Sequence, residues 1–485
     1  MAIKYLKDIK ATLRDENGNR LCTLIWGDPV HVLEESGTMW KVRARARTGR
    51  VDASALGDES LLELYVIDVG QGDGMLMRTP DDNWHLIDGG VSGEQQMTRK
   101  GAANFLRWKF LEDLALPGIS LANVIVTHPD FDHYGGVIDV LRGRLADGRR
   151  FEIAVENFYH SGIGIYRSEP TLGETVEGEV PPFPIGGHRV RRRTLFITDL
   201  LDGADTFRSP TRAFQDSFAE YAALVATVPA TVKRLSSADG SLPGYGPGGD
   251  LSIRVLGPLV ERFDGGRTGL RSFTNDAVTR NGHSIVLRVD YRDARVLLTG
   301  DLNTPSQRLL LSYQPDQEFA VDVAKACHHG SEDVYLRFLQ AMRPRATVIS
   351  SGDAEDYSHP RPVIIGASAR YGRESRVSVD EVLPPLVYST ELARSVKLAY
   401  TNALTVRRQQ DDGATVSLDV DPLAASIRAE GYRQRFRRLP NVPLSTDLIY
   451  GLVNVRTDGR RILCATLEER GSDFDVKVFQ AGVDV

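Results

Sequence analysis

The sequence predicts an α/β fold made of two halves, each running from strands into helices. Three observations predict it. The β-branched run Val124-Ile125-Val126 leads through Thr127 into a polar loop and then a helical stretch opened by Gly135-Gly136. A second series of apolar strands, Ala294 to Thr299, Val321 to Ala326 and Ala346 to Ser350, alternates with helical stretches at Pro305 to Tyr313 and Asp333 to Met342. In both halves the strands end in His and Asp, which suggests one site on the rim of a sheet.

Taken in order, residues 1–57 form a small β domain. Leu21 to Trp26, Pro29 to Glu34 and Trp40 to Ala46 are its strands, punctuated at Gly18, Gly27-Asp28, Ser36-Gly37 and Thr48-Gly49. Trp26 and Trp40 suit core packing, with a binding platform as the alternative. From Leu61 the pattern changes. Leu62 to Val69, Gly74 to Arg78 and Trp84 to Ile87 read as a meander around the Gly-rich turn Asp68 to Gly74. That turn lacks the Lys of a phosphate loop and the spacing of a dinucleotide fingerprint. Met97 to Leu114 is amphipathic and helical, and Pro117-Gly118 ends it. After the polar loop, Val137 to Leu145 continues a helix.

Residues 146–250 read as an insertion or lid within a domain spanning 60–380. It contains a strand at Phe151 to Phe158, a Pro-, Gly- and Glu-rich loop at 167–187, an Arg run in His188 to Arg193, a helix at Phe207 to Val228 and a turn-rich linker at Pro243 to Gly249. The Arg run is a solvated face or, alternatively, a contact for a phosphate backbone. Leu251 to Leu256 and Ser284 to Asp290 open the second half. Residues 385–485 form a β-leaning extension. In it, Leu448 to Arg456 and Arg460 to Leu467 flank the turn Thr457-Asp458-Gly459 as a hairpin, and 409–440 shows no clear period.

With 485 residues, 26% charged and 41% hydrophobic, the chain is long enough for two or three soluble domains. A net charge of −6 gives no general attraction to a polyanion or an anionic membrane. Cys22, Cys327 and Cys464 are odd in number and widely spaced, so no disulfide framework is expected and a reducing cytoplasm fits. Met1 to Lys10 lacks the apolar core of a signal peptide, and no run is long enough to span a bilayer, so no membrane role is expected.

The chemistry gathers at His128-Pro129-Asp130-Phe131-Asp132-His133. Packing does not ask for two imidazoles and two carboxylates in six positions, whereas a divalent cation stabilises such a group. Asp301 follows the strand ending at Thr299, and His328-His329 follow the strand ending at Ala326.

Six stretches, in order, resemble the metallo-β-lactamase superfamily, and within it the nuclease-like domain of the ComEC/Rec2 competence proteins: Asp68 to Asp73, Leu86 to Gly90, His128 to Gly136, Asn281 to Ser284, Thr299 to Asp301 and His328 to Ser331. The resemblance implies an αβ/βα sandwich holding two divalent metal ions, Mn²⁺ or Zn²⁺, with Mg²⁺ also admitted. His128 and Asp130 serve one ion, Asp132, His133 and His329 the other, and Asp301 bridges. His283 joins the first ion, with His160 as its rival. Asp88 supports the ligands from behind; Asp68, Asp73 and His328 are grouped with it, His328 also being the alternative to His329. Asp130, where the superfamily more often has His, hardens the site towards Mn²⁺ or Mg²⁺.

Asp132 is expected to orient the nucleophile, and His359, in Tyr357-Ser358-His359-Pro360, to contact or protonate the substrate. Lys325, Ser331, Asn281 and Ser284 are its further candidate contacts. The implied activity is hydrolysis of a phosphodiester by a dinuclear metal-activated hydroxide, with a nucleic acid as substrate. The alternatives are a smaller phosphodiester, such as a choline phosphate ester or a cyclic nucleotide, and a partner- or cleavage-activated effector of a defence or toxin system. The stretch Gly27 to Val42 resembles bacterial SH3-like domains. This makes the N-terminal domain, with the C-terminal extension, a candidate contact for a protein partner.

Overall fold

The computed structural model describes residues 2–96, 101–145, 147–185, 188–352, 359–377, 381–391, 403–407, 415–419, 451–467 and 473–482. Two sheets face each other. The first has nine strands, in the order Thr231–Arg234, Ile153–His160, Ile119–Val126, Trp84–Gly89, Gly74–Arg78, Leu62–Val66, Val453–Thr457, Arg461–Leu467 and Phe474–Gln480. The second has six, in the order Leu251–Gly257, Val286–Tyr291, Ala294–Leu298, Val323–Lys325, Ala346–Ile349 and Leu386–Ser389. Alternating apolar positions on the inner faces explain the pairing. Leu64, Val66, Met75, Met77 and Ile125 pack against Val255, Leu287, Val289, Val296 and Val348.

Helices cover both outer faces. Ala102–Arg107, Phe131–Leu141 and Asp216–Thr227 lie on the first sheet through Leu106, Val137, Val140, Phe218 and Val225. Thr304–Tyr313 and Leu336–Met342 lie on the second through Leu309, Leu310, Phe338 and Met342. This is the α/β sandwich that the sequence predicts. In each sheet the strands that lead into the polar loops run parallel to their neighbours. Their C-terminal ends therefore share one rim, the usual place for a site in such sheets.

Several elements differ from expectation. The predicted helix at Met97 to Leu114 begins outside the described residues and is split: Ala102–Arg107 passes into a π-helical turn, Trp108–Asp113, with Lys109 and Asp113 buried and paired at 2.7 Å. The loop expected at 167–187 holds a strand, Thr175–Ile185, that pairs with the Arg-bearing strand His188–Ile197 as a long hairpin. Phe207 to Val228 is broken after Arg208 and resumes at Asp216. A short helix, Asp276–Gly282, precedes His283 where no element was expected.

The N-terminal residues form a seven-stranded sheet of their own, with Leu13, Leu24, Val30, Val42 and Val51 inside. Trp26 is buried against Leu61, Leu463 and Phe474, with Arg461 over its ring at 4.5 Å, so it packs rather than presents a platform. Of the C-terminal extension, the last three described strands join the nine-stranded sheet, Val453–Thr457 pairing with Leu62–Val66. Residues 393–448 separate as a second unit, of which the hairpin Ala403–Arg407 with Thr415–Asp419 is described. The stretch 409–440 lies mostly outside the described residues. Among the described residues no helix is long and apolar enough to cross a membrane.

Candidate metal centre

Strand Ile119–Val126 delivers Thr127 and His128 to the rim, and the chain turns at Asp130, which precedes the helix Phe131–Leu141. Asp132 and His133 occupy its first turn, where the helix end favours negative charge. Gly72 lets the Gly-rich turn press against this loop. Its φ is +103°, and a Cβ there would stand 1.7 Å from the Asp132 carbonyl oxygen. Asp301 follows Leu298 across Gly300, and His328 and His329 follow strand Val323–Lys325. Both histidines sit in the left-handed region, at φ 47° and 50°, as does Asp88 at φ 57°. Non-glycine residues held there are strained, and such strain gathers at functional sites.

The centre rests on His133, His329 and Asp301. His133 Nδ1 lies 2.9 Å from Asp88 Oδ2, and His329 Nδ1 lies 3.0 Å from Asp73 Oδ1. Those carboxylates accept the Nδ1–H protons and leave each Nε2 with its lone pair. The two Nε2 atoms face each other at 3.3 Å, and Asp301 Oδ2 stands 3.3 Å from one and 2.9 Å from the other. Three electron-rich atoms at this separation need a cation, or protons, between them. Asp73, His133, Asp301 and His329 each offer an atom within 4.8 Å of the others. Asp73 is nonetheless engaged from behind, by His329 Nδ1 and the Lys325 ammonium.

A second position lies beside it. His128 Nε2 is buried without a hydrogen-bond partner, 3.9 Å from both Asp130 Oδ2 and Asp301 Oδ2. An orphaned imidazole nitrogen between two carboxylates is the donor set of a metal. Five carboxylates (Asp73, Asp88, Asp130, Asp132, Asp301) face two fixed cations, Lys325 and Arg280. The negative excess fits one or two divalent ions.

Each of these groups has a partner behind it. Asp88 also accepts from Thr127 N and Oγ1, both at 2.7 Å. Gln71 Nε2 donates to Asp132 Oδ2 at 3.2 Å. Arg280 Nε donates to Asp130 Oδ1, and the Asn281 amide, in its satisfied orientation, donates to Asp130 Oδ2 at 2.8 Å. The protonation equilibria follow this layout. Burial opposes charge on His329, but Asp301 and Asp73 overcome it and push its pKa up to about 10. His133 is raised in the same way by Asp301 and Asp88. Burial, joined by the charge on His133, keeps His128 neutral. Burial raises the Asp301 carboxyl, yet His329 and His133 reverse this and hold it well below the usual range.

Some predicted site residues lie elsewhere. His283 is outside the cluster: its Nε2–H donates to the Arg271 carbonyl at 2.7 Å, and its ring stacks on Phe273. His160 packs edge-on against Phe207 and accepts from Gly162 N–H. Lys325 is fully buried on Asp73 and the Gly300 carbonyl, 3.6 Å from Asp301, so it neutralises carboxylates and cannot reach a substrate. Ser284 is likewise behind the centre, accepting from Asp301 N at 2.9 Å and lying 3.3 Å from His128 Nδ1. Asn281 holds Asp130 instead of a substrate.

Ser331 Oγ accepts from Asp333 N–H in a turn, and Asp68 accepts from Gly70 N–H. His328 stands beside the centre, 3.8 Å from Asp301 Oδ2. The His359 ring lies 5.9 Å from that of His328, while Tyr357 and Ser358 fall outside the described residues. Burial and the charges on His329 and His328 push the His359 pKa down to about 3. Without a metal it is therefore a neutral imidazole near pH 7. Arg280 and Gln71 were not anticipated. The signal for both was position, inside or next to the motifs Asp68 to Asp73 and Asn281 to Ser284.

Residues 67–200 match the family model of the metallo-beta-lactamase superfamily. Over 152 residues the chain is 26% identical to ComE operon protein 3 of Bacillus subtilis, covering 28% of this chain and 18% of that protein. Over 96 residues it is 35% identical to competence protein ComA of Neisseria gonorrhoeae, covering 20% and 14%. The chain thus spans less than a fifth of the length of either relative. Among solved structures it is similar to Tm1679, a metal-dependent hydrolase of the beta-lactamase superfamily, at 13% identity and a TM-score of 0.32, covering 68% of this chain and 95% of that one. Residues 67–200 are thus similar to the metallo-β-lactamase superfamily.

Proposed function

We propose that this protein is a metal-dependent phosphodiesterase acting on nucleic acid. The observation that carries the reading is the convergence of His133 Nε2, His329 Nε2 and Asp301 Oδ2 beside the orphaned His128 Nε2. His128 and Asp130 would hold one divalent ion; Asp132, His133 and His329 would hold the other, with Asp301 between them. When bound, such ions supply an acidified water and neutralise charge on a phosphate oxygen. Asp132, one-fifth exposed and steadied by Gln71, is placed to accept a proton from the attacking water. His328, with its Nε2 3.8 Å from Asp301 Oδ2 and its side chain 28% exposed, would be a further hydrogen-bonding group beside the ions. Asp130 in place of an imidazole favours Mn²⁺ over Zn²⁺. The likeness to the two competence proteins supports nucleic acid as the substrate class.

The net charge of −6 favours a second reading, a small phosphodiester. One experiment separates them. The purified chain is incubated with Mn²⁺, Mg²⁺ or Zn²⁺ and with single-stranded DNA, duplex DNA, RNA and bis(4-nitrophenyl) phosphate, beside Asp132→Ala. Cleavage of a polynucleotide, lost in the variant, supports the first reading. Turnover of the small ester alone supports the second. No turnover with any metal defeats both.

A further inference from the structure

Arg280 is a cation at the mouth of an anionic site. Its side chain is 23% exposed and that of Asp130 21%, whereas those of His128, His133, Asp301 and His329 are 0–3% exposed. The short helix that carries it is fixed at both ends. Asn275 accepts from Val278 N–H at its start, Asn303 donates to the Val278 carbonyl, and His283 ties the end to Arg271. Nε is the guanidinium nitrogen bonded to Asp130, and the two terminal nitrogens have no hydrogen bond to any described residue. An arginine anchored by one donor keeps a rigid pair of donors for an oxyanion, with little ordering left to do on binding.

We propose that Arg280 is the anion-recognition residue of this centre: Nε remains on Asp130 while the two terminal nitrogens take a non-bridging oxygen of a phosphodiester. The assignment rests on the phosphodiesterase reading for its substrate. It explains why a site with excess carboxylate draws an anion, and it selects charged esters over neutral ones. The rival account is that Arg280 only positions Asp130; Asn281 already holds the other oxygen of that carboxylate.

The test uses the full chain loaded with Mn²⁺ and titrated with dimethyl phosphate by calorimetry, with metal content measured on the same samples. Arg280→Gln is expected to weaken anion binding about tenfold or more, and Arg280→Lys to recover part of it, both with unchanged metal content. With bis(4-nitrophenyl) phosphate the Gln variant should show the loss in KM, with kcat nearly unchanged. Equal dimethyl phosphate affinity in wild type and Arg280→Gln, or no measurable binding by wild type, overturns the proposal. So does loss of a metal equivalent in Arg280→Gln, which assigns Arg280 to positioning alone. Should the Gln variant fail to fold, the Lys variant decides: undiminished affinity there overturns the proposal, because a lysine cannot reproduce the fork. Arg280-dependent binding without ester turnover would remove the proposed reaction and leave the recognition standing.

Discussion

His133 and His329, almost two hundred residues apart, meet nitrogen to nitrogen at 3.3 Å, each with a carboxylate on its far side. Without a metal, protons fill the gap. The folded pKa of His329, about 10, lies above its ordinary 6.5. Its ion pairs therefore stabilise the metal-free protein fully below about pH 6.5, and this contribution is lost as pH rises through about 10. Chemical denaturation of metal-free protein should show stability falling across that window. Metal-loaded protein should not show this fall, and loading near pH 7 should release protons, measurable by calorimetry in buffers of different ionisation enthalpy.

A bound ion stabilises the fold that binds it. At a hundredfold excess over Kd the gain is about 2.7 kcal/mol. Thermal melts should rise on adding Mn²⁺ and fall with chelator. His329→Ala should show a smaller rise than wild type, because the position beside His128 and Asp130 keeps its groups.

Asp88 accepts His133 Nδ1–H and both Thr127 donors from a left-handed backbone. Asp88→Asn leaves the size of the side chain unchanged but removes the charge that fixes the imidazole tautomer. Metal affinity should fall roughly 10–100-fold by calorimetry. Asp73→Asn should do the same through His329.

Gly72 admits no side chain, because a Cβ would overlap the Asp132 carbonyl. Gly72→Ala should displace the loop, destabilise the chain by roughly 1–3 kcal/mol or more in urea, and abolish metal uptake.

Asp28 and Arg456 pair at 2.8 Å in the interior, and Arg45 holds the same carboxylate. Burial would raise the Asp28 carboxyl, but the two guanidinium groups reverse this and keep it well below its ordinary 3.8. A depressed folded pKa contributes stability above the unfolded value that is lost as pH falls below it. Arg456→Met leaves the carboxylate to Arg45 alone and should cost less at pH 7 than the roughly 3–5 kcal/mol of a buried charge with no partner. The difference from wild type should shrink below about pH 4, as seen in urea titrations at several pH values.

Much of the centre was legible because ligand types follow strands in recognisable order. His128, Asp130, Asp132, His133, Asp301 and His329 do converge on one rim. Which way a side chain faces was not legible. Lys325, Ser284 and Asn281 sit in or near the same motifs yet turn inward, because the excess carboxylate behind the centre needs donors and the Asp301 N–H needs an acceptor. His283 was misplaced because a two-turn helix, Asp276–Gly282, redirects it to Arg271. Asp73 meets His329 across 256 positions, a distance no local pattern reports. The C-terminal strands read as a separate extension because alternation shows that a strand exists and is silent on its neighbour.

That last pairing bears on how the chain is made. Strand Leu62–Val66 is translated nearly four hundred codons before its neighbour Val453–Thr457. Until then one edge of the nascent sheet stays open, an interval in which unpaired strand groups expose the chain to aggregation.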